Sequence, residues 1–171
     1  MYKYKIYGGI VMSRIYVDTL DRRPVGFDNR ELYHGFNAFF TGKPYEYKFN
    51  TLKDNTHRQI CTSTKYLGMM GVKVVGEVLM ASSYDLFSGI DKETGRRWFD
   101  SNDIDNIVYD YNDLELHEDD NEENNEIIMK NFKITAIWVT SDASNKLKEL
   151  AAKLAKENDL PLIEVGASIF A

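Results

Sequence analysis

Three short stretches carry side chains whose types and spacing could do chemistry on a sugar. "LYHGF" (Leu32 to Phe36) ends a strand-like run with an imidazole, and Gly35 directly after it would let a ligand approach the backbone. "CTSTK" (Cys61 to Lys65) gathers the hydroxyls of Thr62, Ser63 and Thr64 at a strand start, where alternate residues share a face. Glu126 follows a polar loop and opens an apolar run, which presents its carboxylate at the edge of a cleft. A ring and a hydroxyl that hold ribose, with a carboxylate that stabilises positive charge at the anomeric carbon, suit a substrate with a cationic leaving group. Other chemistries find less support. His34, His57 and His117 are widely scattered, with no cysteine pair and no HExxH spacing, so no metal site is expected. "YGGI" and "YLGMMGVK" lack the order of a phosphate-binding loop. Cys61 with His34 or His57 as base would make a thiol nucleophile, but a strand cysteine is more often a small buried hydrophobe.

The elements that must position these residues are mostly strands. Tyr2 to Tyr7 alternates at period two, Gly8-Gly9 breaks it, and Ile10 to Val17 resumes with β-branched residues, which predicts a hairpin. "DTLDRRPVGFDNR" is expected to be a loop, after which Leu32 and Tyr33 end a short strand. "YEYKF" (Tyr45 to Phe49) alternates again as a strand would, and Asn50 to Arg58 is polar and loop-like. "VKVVGEVLMAS" (Val72 to Ser82) is a strand with Gly76 as a candidate bulge. "GIDKETGRRWF" then turns between two paired segments, and Ile107 to Tyr111 is a further strand candidate. "EIIM" and "FKITAIWV" are expected to be two strands with a turn at Lys130-Asn131. Ser141 or Asp142 can cap a helix carrying Leu147, Leu150, Ala151, Leu154 and Ala155 at helical spacing, Asn158-Asp159 ends it, and "LIEV" is a last strand.

Composition sets limits on partners and compartment. With 43% hydrophobic and 13% aromatic residues, 171 residues suffice for one globular domain over 1–171. Its parts would be an N-terminal hairpin and loop (1–30), a β-rich core with an acidic loop at 112–126 (31–140), and a C-terminal helix and strand (141–171). One cysteine forbids an internal disulfide, and no long apolar run or export signal is visible, so a cytoplasmic protein away from membranes is expected. A net charge of -6 argues against sequence-independent binding to nucleic acid. No Lys or Arg occurs from Phe99 to Met129, a stretch rich in Asp and Glu, which makes a solvating or functional surface.

On "LYHGF", "CTSTK" and "NNEIIMKNFKITAIWV" the chain resembles the ADP-ribosyltransferase superfamily, whose members move ADP-ribose from NAD to a target and release nicotinamide. His34 matches the His or Arg of the family's first strand motif, and Ser63 is similar to the central serine of its second, with Thr62 and Thr64 beside it. Glu126 matches the glutamate that opens a late strand. "SDASNKLKELAAKLAKENDLPLIEV" is similar to the endings of the DNA-modifying toxin branch. The resemblance implies NAD as substrate, Tyr33, His34, Gly35, Ser63 and Thr64 as its binding residues, and Glu126 as the catalytic carboxylate. Phe36, Phe39, Phe40 or Tyr66 would stack on the nicotinamide. Two departures are an Asn at 124, where many protein-modifying members carry Glu or Gln, and a long separation of Ser63 from Glu126.

The expected fold is α+β: a mostly antiparallel β core of two packed sheets or a split barrel, ADP-ribosyltransferase-like, with a C-terminal strand-helix-strand unit. The expected function is ADP-ribosyl transfer to an intracellular macromolecule, protein before nucleic acid, by an effector or phage-type modifier. The alternative is a non-enzymatic inhibitor that uses its acidic surface (100–126) to block a nucleic-acid-binding partner. A Rossmann-like binding module built on the C-terminal unit would lack its glycine-rich fingerprint.

Overall fold

The computed structural model describes residues 4–7, 10–36, 42–56, 58–106 and 125–168. In chain order its elements are β1 (Tyr4–Tyr7), β2 (Ile10–Tyr16), β3 (Gly26–Gly35), α1 (Tyr45–Asp54), β4 (Ile60–Thr62), β5 (Met70–Ser82), β6 (Phe87–Ile90), β7 (Arg97–Asp100), β8 (Glu126–Thr140), α2 (Asn145–Glu157) and β9 (Leu162–Val165). Two short 3-10 turns follow β2 and β7. The fold is α+β with two mostly antiparallel sheets. One runs β1-β2-β7-β6, and the other β3-β5-β8-β4, with β9 lying parallel to β8. β4 and β9 share one edge of β8, β4 against Ile127 to Met129 and β9 against Ile137 to Thr140.

The second sheet curls until its outer strands meet. Tyr33 of β3 and Ser63, just past β4, exchange backbone hydrogen bonds of 2.9 and 3.0 Å, so the strand order comes almost full circle. Apolar burial holds it in that shape. Leu32, Phe36, Val72, Val74, Val78, Ile127, Met129 and Ile137 form a core with Phe49 and Leu52 of α1 and Ala151, Leu154 and Ala155 of α2. Leu79, Met80 and Ile128 point the other way and pack on Phe99 of β7 with Val17 and Leu20. This two-sided burial is why "EIIM" and "VLMAS" are continuous apolar runs instead of alternating ones. Full burial of one such Leu, Ile or Met side chain stabilises by about 1.5–3 kcal/mol.

Several local expectations change. Tyr45 to Phe49 begins a helix, α1, because Tyr45, Phe49 and Leu52 at i, i+4 and i+7 share the face that packs on the core, while Tyr47 is 52% exposed. β3 starts at Gly26, inside the expected loop; a register shift between Asp28 and Leu32 takes up the irregular stretch, where Arg30 clasps the buried Asp28 at 2.8 Å. Lys130 and Asn131 do not turn the chain. β8 runs unbroken through them, carrying one extra residue opposite Gly76, and Asn131 takes φ +49° to absorb it. A Cβ at Gly76 would lie 2.9 Å from Phe132 Cα, so the bulge and the glycine belong together. The cap of α2 is Ser144, whose side chain accepts from Leu147 N–H, and neither Ser141 nor Asp142. The strand-helix-strand ending, the paired segments flanking 91–96 and the irregularity at Gly76 are as expected. Ile107 to Tyr111 and Gly8-Gly9 lie outside the described residues. No described helix is long and apolar enough to cross a membrane.

Candidate functional site

The seam between β3 and β4 brings His34 against Cys61. Along β3, Leu32 and Phe36 point into the core, and His34 lies between them on the same face. Its Nδ1 is 2.7 Å from the Cys61 carbonyl oxygen, which can only accept, so Nδ1 carries the proton. Burial lowers the His34 pKa to about 4 against the pull of that bond, with Arg97, Lys48 and Arg58 pushing it further down. The ring is therefore neutral at pH 7 and presents Nε2 as an acceptor.

Glu126 is 6% exposed at the start of β8. Its Oε1 accepts from the Cys61 thiol at 3.2 Å, and its Oε2 accepts from Leu86 N–H at 2.9 Å. Burial lifts its pKa to about 7, and the hydrogen-bonded Asp85 carboxylate lifts it too; Arg97 and the Cys61 contact oppose the rise. Cys61 is itself pushed well up by burial and by Glu126, so it remains a thiol, a donor to the carboxylate and a poor nucleophile.

The hydroxyls sort by partner. Thr62 is buried and donates to the Ile127 carbonyl at 2.7 Å, a link between β4 and β8. Ser63 Oγ donates to Asn125 Oδ1 at 2.9 Å, and the same oxygen takes Thr64 N–H at 2.9 Å. Asn125 Nδ2 donates back to Thr64 Oγ1. Ser63 and Thr64 thus grip the residue beside Glu126 and fix where β8 begins.

Tyr33, His34, Gly35, Ser63 and Glu126 line one cleft of about 50 Å³, with Asp85, Arg97 and the almost fully buried Lys65. Thr64 is not part of its lining. The Tyr33 ring makes edge contacts with Tyr66 and with Trp138, at 5.7 and 6.0 Å, so these two tyrosines form an aromatic cluster over the buried Trp138. Phe36 is core. Gly35 lines the cleft, and no larger residue fits its place, since a Cβ there would sit 1.9 Å from the Leu67 carbonyl oxygen.

Sequence inspection missed Asp85, Arg97 and Asn125. Asn125 adjoins Glu126 and could have been suspected, whereas Arg97 comes from the other sheet and no local pattern marks it. Arg97 also lines a second cleft, of about 200 Å³, that shares His34, Gly35 and Cys61 with the first. Among the described residues no group of His, Cys, Asp and Glu could hold a metal ion. Phe39, Phe40, His57, His117, Asn124 and the acidic run at 107–124 lie outside the described residues. No family model matches this chain, and neither the curated proteins nor the solved structures yield a match.

Proposed function

We propose that the protein is an ADP-ribosyltransferase that takes NAD as substrate and modifies a macromolecule inside the cell. The observation that carries this reading is the convergence of His34, Ser63 and Glu126, from motifs far apart in the chain, around one cleft. Neutral His34 accepts a ribose hydroxyl at Nε2. Ionised Glu126 accepts the 2′-hydroxyl of the nicotinamide ribose and stabilises the positive charge that grows at the anomeric carbon as the bond to nicotinamide breaks. Nicotinamide leaves as a neutral ring, and the acceptor's nucleophile forms the new bond at that carbon. The first cleft is too small for a whole dinucleotide, so most of NAD lies beyond it. The acceptor enters from the solvent side of the ribose.

Release of nicotinamide from NAD, with and without a cell lysate, tests the reading. Glu126→Gln should lower the rate by about 100-fold or more, the size expected for one electrostatic partner of a transition state. Because Glu126 must be ionised, the wild-type rate should fall with acid through about pH 7. A rate indifferent to Glu126→Gln, or no release by either protein in either condition, rejects the proposal.

A further inference from the structure

The second cleft has a chemistry of its own. Its described lining carries five basic side chains, Lys43, Lys48, Arg58, Arg96 and Arg97, against two carboxylates, Asp18 and Glu93. One carboxylate is already engaged: Asp18 takes the Arg96 guanidinium in a two-pronged contact at 3.0 Å. Lys48 and Arg58 form no ion pair with a described residue. Like charges so gathered repel one another, and burial, Arg58 and Arg97 together hold the Lys48 ammonium below its ordinary pKa. This occurs in a chain whose net charge is -6. Such a concentration of cations in a concave site is balanced by a guest of opposite sign.

We infer that this cleft is a binding site for a phosphate-bearing ligand, seated between α1, the Arg58 segment and the β6–β7 hairpin. Lys48 and Arg58, neither of them in an ion pair with a described residue, offer an ammonium and a guanidinium to the same guest, which suits the several oxygens of a phosphoryl group. Arginine forks and a lysine point charge are the usual partners of phosphoryl oxygens. Two sources share this chemistry: the diphosphate of the NAD whose ribose would occupy the adjoining cleft, or a separate phosphorylated molecule. The site itself does not depend on Glu126 being catalytic.

Inorganic pyrophosphate titrated into the full chain by calorimetry at low salt is the test. Saturable one-site binding is expected, weakening as salt rises. The double variant Lys48→Met with Arg58→Gln should weaken it roughly tenfold or more, from the loss of two charge-assisted contacts. Lys146→Met, an exposed cation on α2, should leave it unchanged. If melting shows the double variant unfolded, Lys48→Met alone is measured and should weaken binding severalfold. Glu126→Gln should keep full pyrophosphate affinity even if it abolishes nicotinamide release, which separates this site from the catalytic proposal. Competition between NAD and pyrophosphate assigns the phosphate to the donor; simultaneous binding assigns it to a second ligand. Absence of saturable binding, or equal loss in Lys146→Met, overturns the inference.

Discussion

His34 and Glu126 move in opposite directions when the chain folds. The carboxyl keeps its proton up to about pH 7 in place of 4.5, so its contribution to stability is complete below 4.5 and is lost as pH rises to about 7. The imidazole stays neutral down to about pH 4 in place of 6.5, so its contribution is lost as pH falls from 6.5 to about 4. Between 4.5 and 6.5 the two nearly cancel. Urea melts across pH should therefore show little slope from this pair in the wild type. In Glu126→Gln only His34 remains, and stability should climb by up to about 3 kcal/mol between pH 4 and 6.5. In His34→Gln it should decline by a similar amount between pH 4.5 and about 7. Parallel profiles in all three proteins would refute the assignment. At this scale His34 and Glu126 were visible in the sequence because each sits at a strand end beside a glycine or a polar loop, and Ser63 because three hydroxyls fall together in "CTSTK", although that stretch ends β4 and does not start a strand. Arg97 and Asp85 were not, since what makes them important is the charge they meet across the gap between sheets.

The long β8 strand shows what an element can hide. "EIIM" and "FKITAIWV" look like two strands because Lys130-Asn131 interrupts the apolar pattern, yet a bulge satisfies that interruption as well as a turn does. Asn131 pays with φ +49°, partly offset by its side chain donating to Glu77 at 2.6 Å. Thermal melts should find Asn131→Gly within about 0.5 kcal/mol of wild type, while Asn131→Val loses about 1–2 kcal/mol, because a β-branched residue resists the left-handed region. Equal stability of the two variants would show that the backbone there is not strained. The helix α1 was missed for a related reason. Alternating tyrosines imitate a strand, and only the burial of Phe49 and Leu52 with exposure of Tyr47 reveals the helical face. The α2 unit was legible because its apolar spacing continues over several turns and ends at Asn158 before a proline.

The smaller cleft lies where the two sheets face each other, with β3, β4 and β8 on one side and β7 with the segment before β6 on the other, and the larger one opens beside it between β3, β4, α1 and the β6–β7 hairpin. Composition and periodicity reveal a strand-rich α+β chain, but the pairing of β2 with β7 joins residues more than 80 positions apart, and nothing local announces it. For the same reason the acidic average of the chain concealed a basic hollow. The near-closure of the second sheet has a consequence for how the molecule can be watched. Among the described residues two backbone hydrogen bonds, Tyr33 to Ser63 and back, join strand edges that carry His34 on one bank and Cys61 on the other. That seam is much shorter than the β5–β8 ladder, so its amides should exchange with deuterium sooner than those in the middle of that ladder. A ligand that touches His34 and Glu126 together would span the seam and slow those two amides selectively. The protein thus contains its own occupancy gauge, two protons whose exchange rates register a bound guest before its chemistry is known.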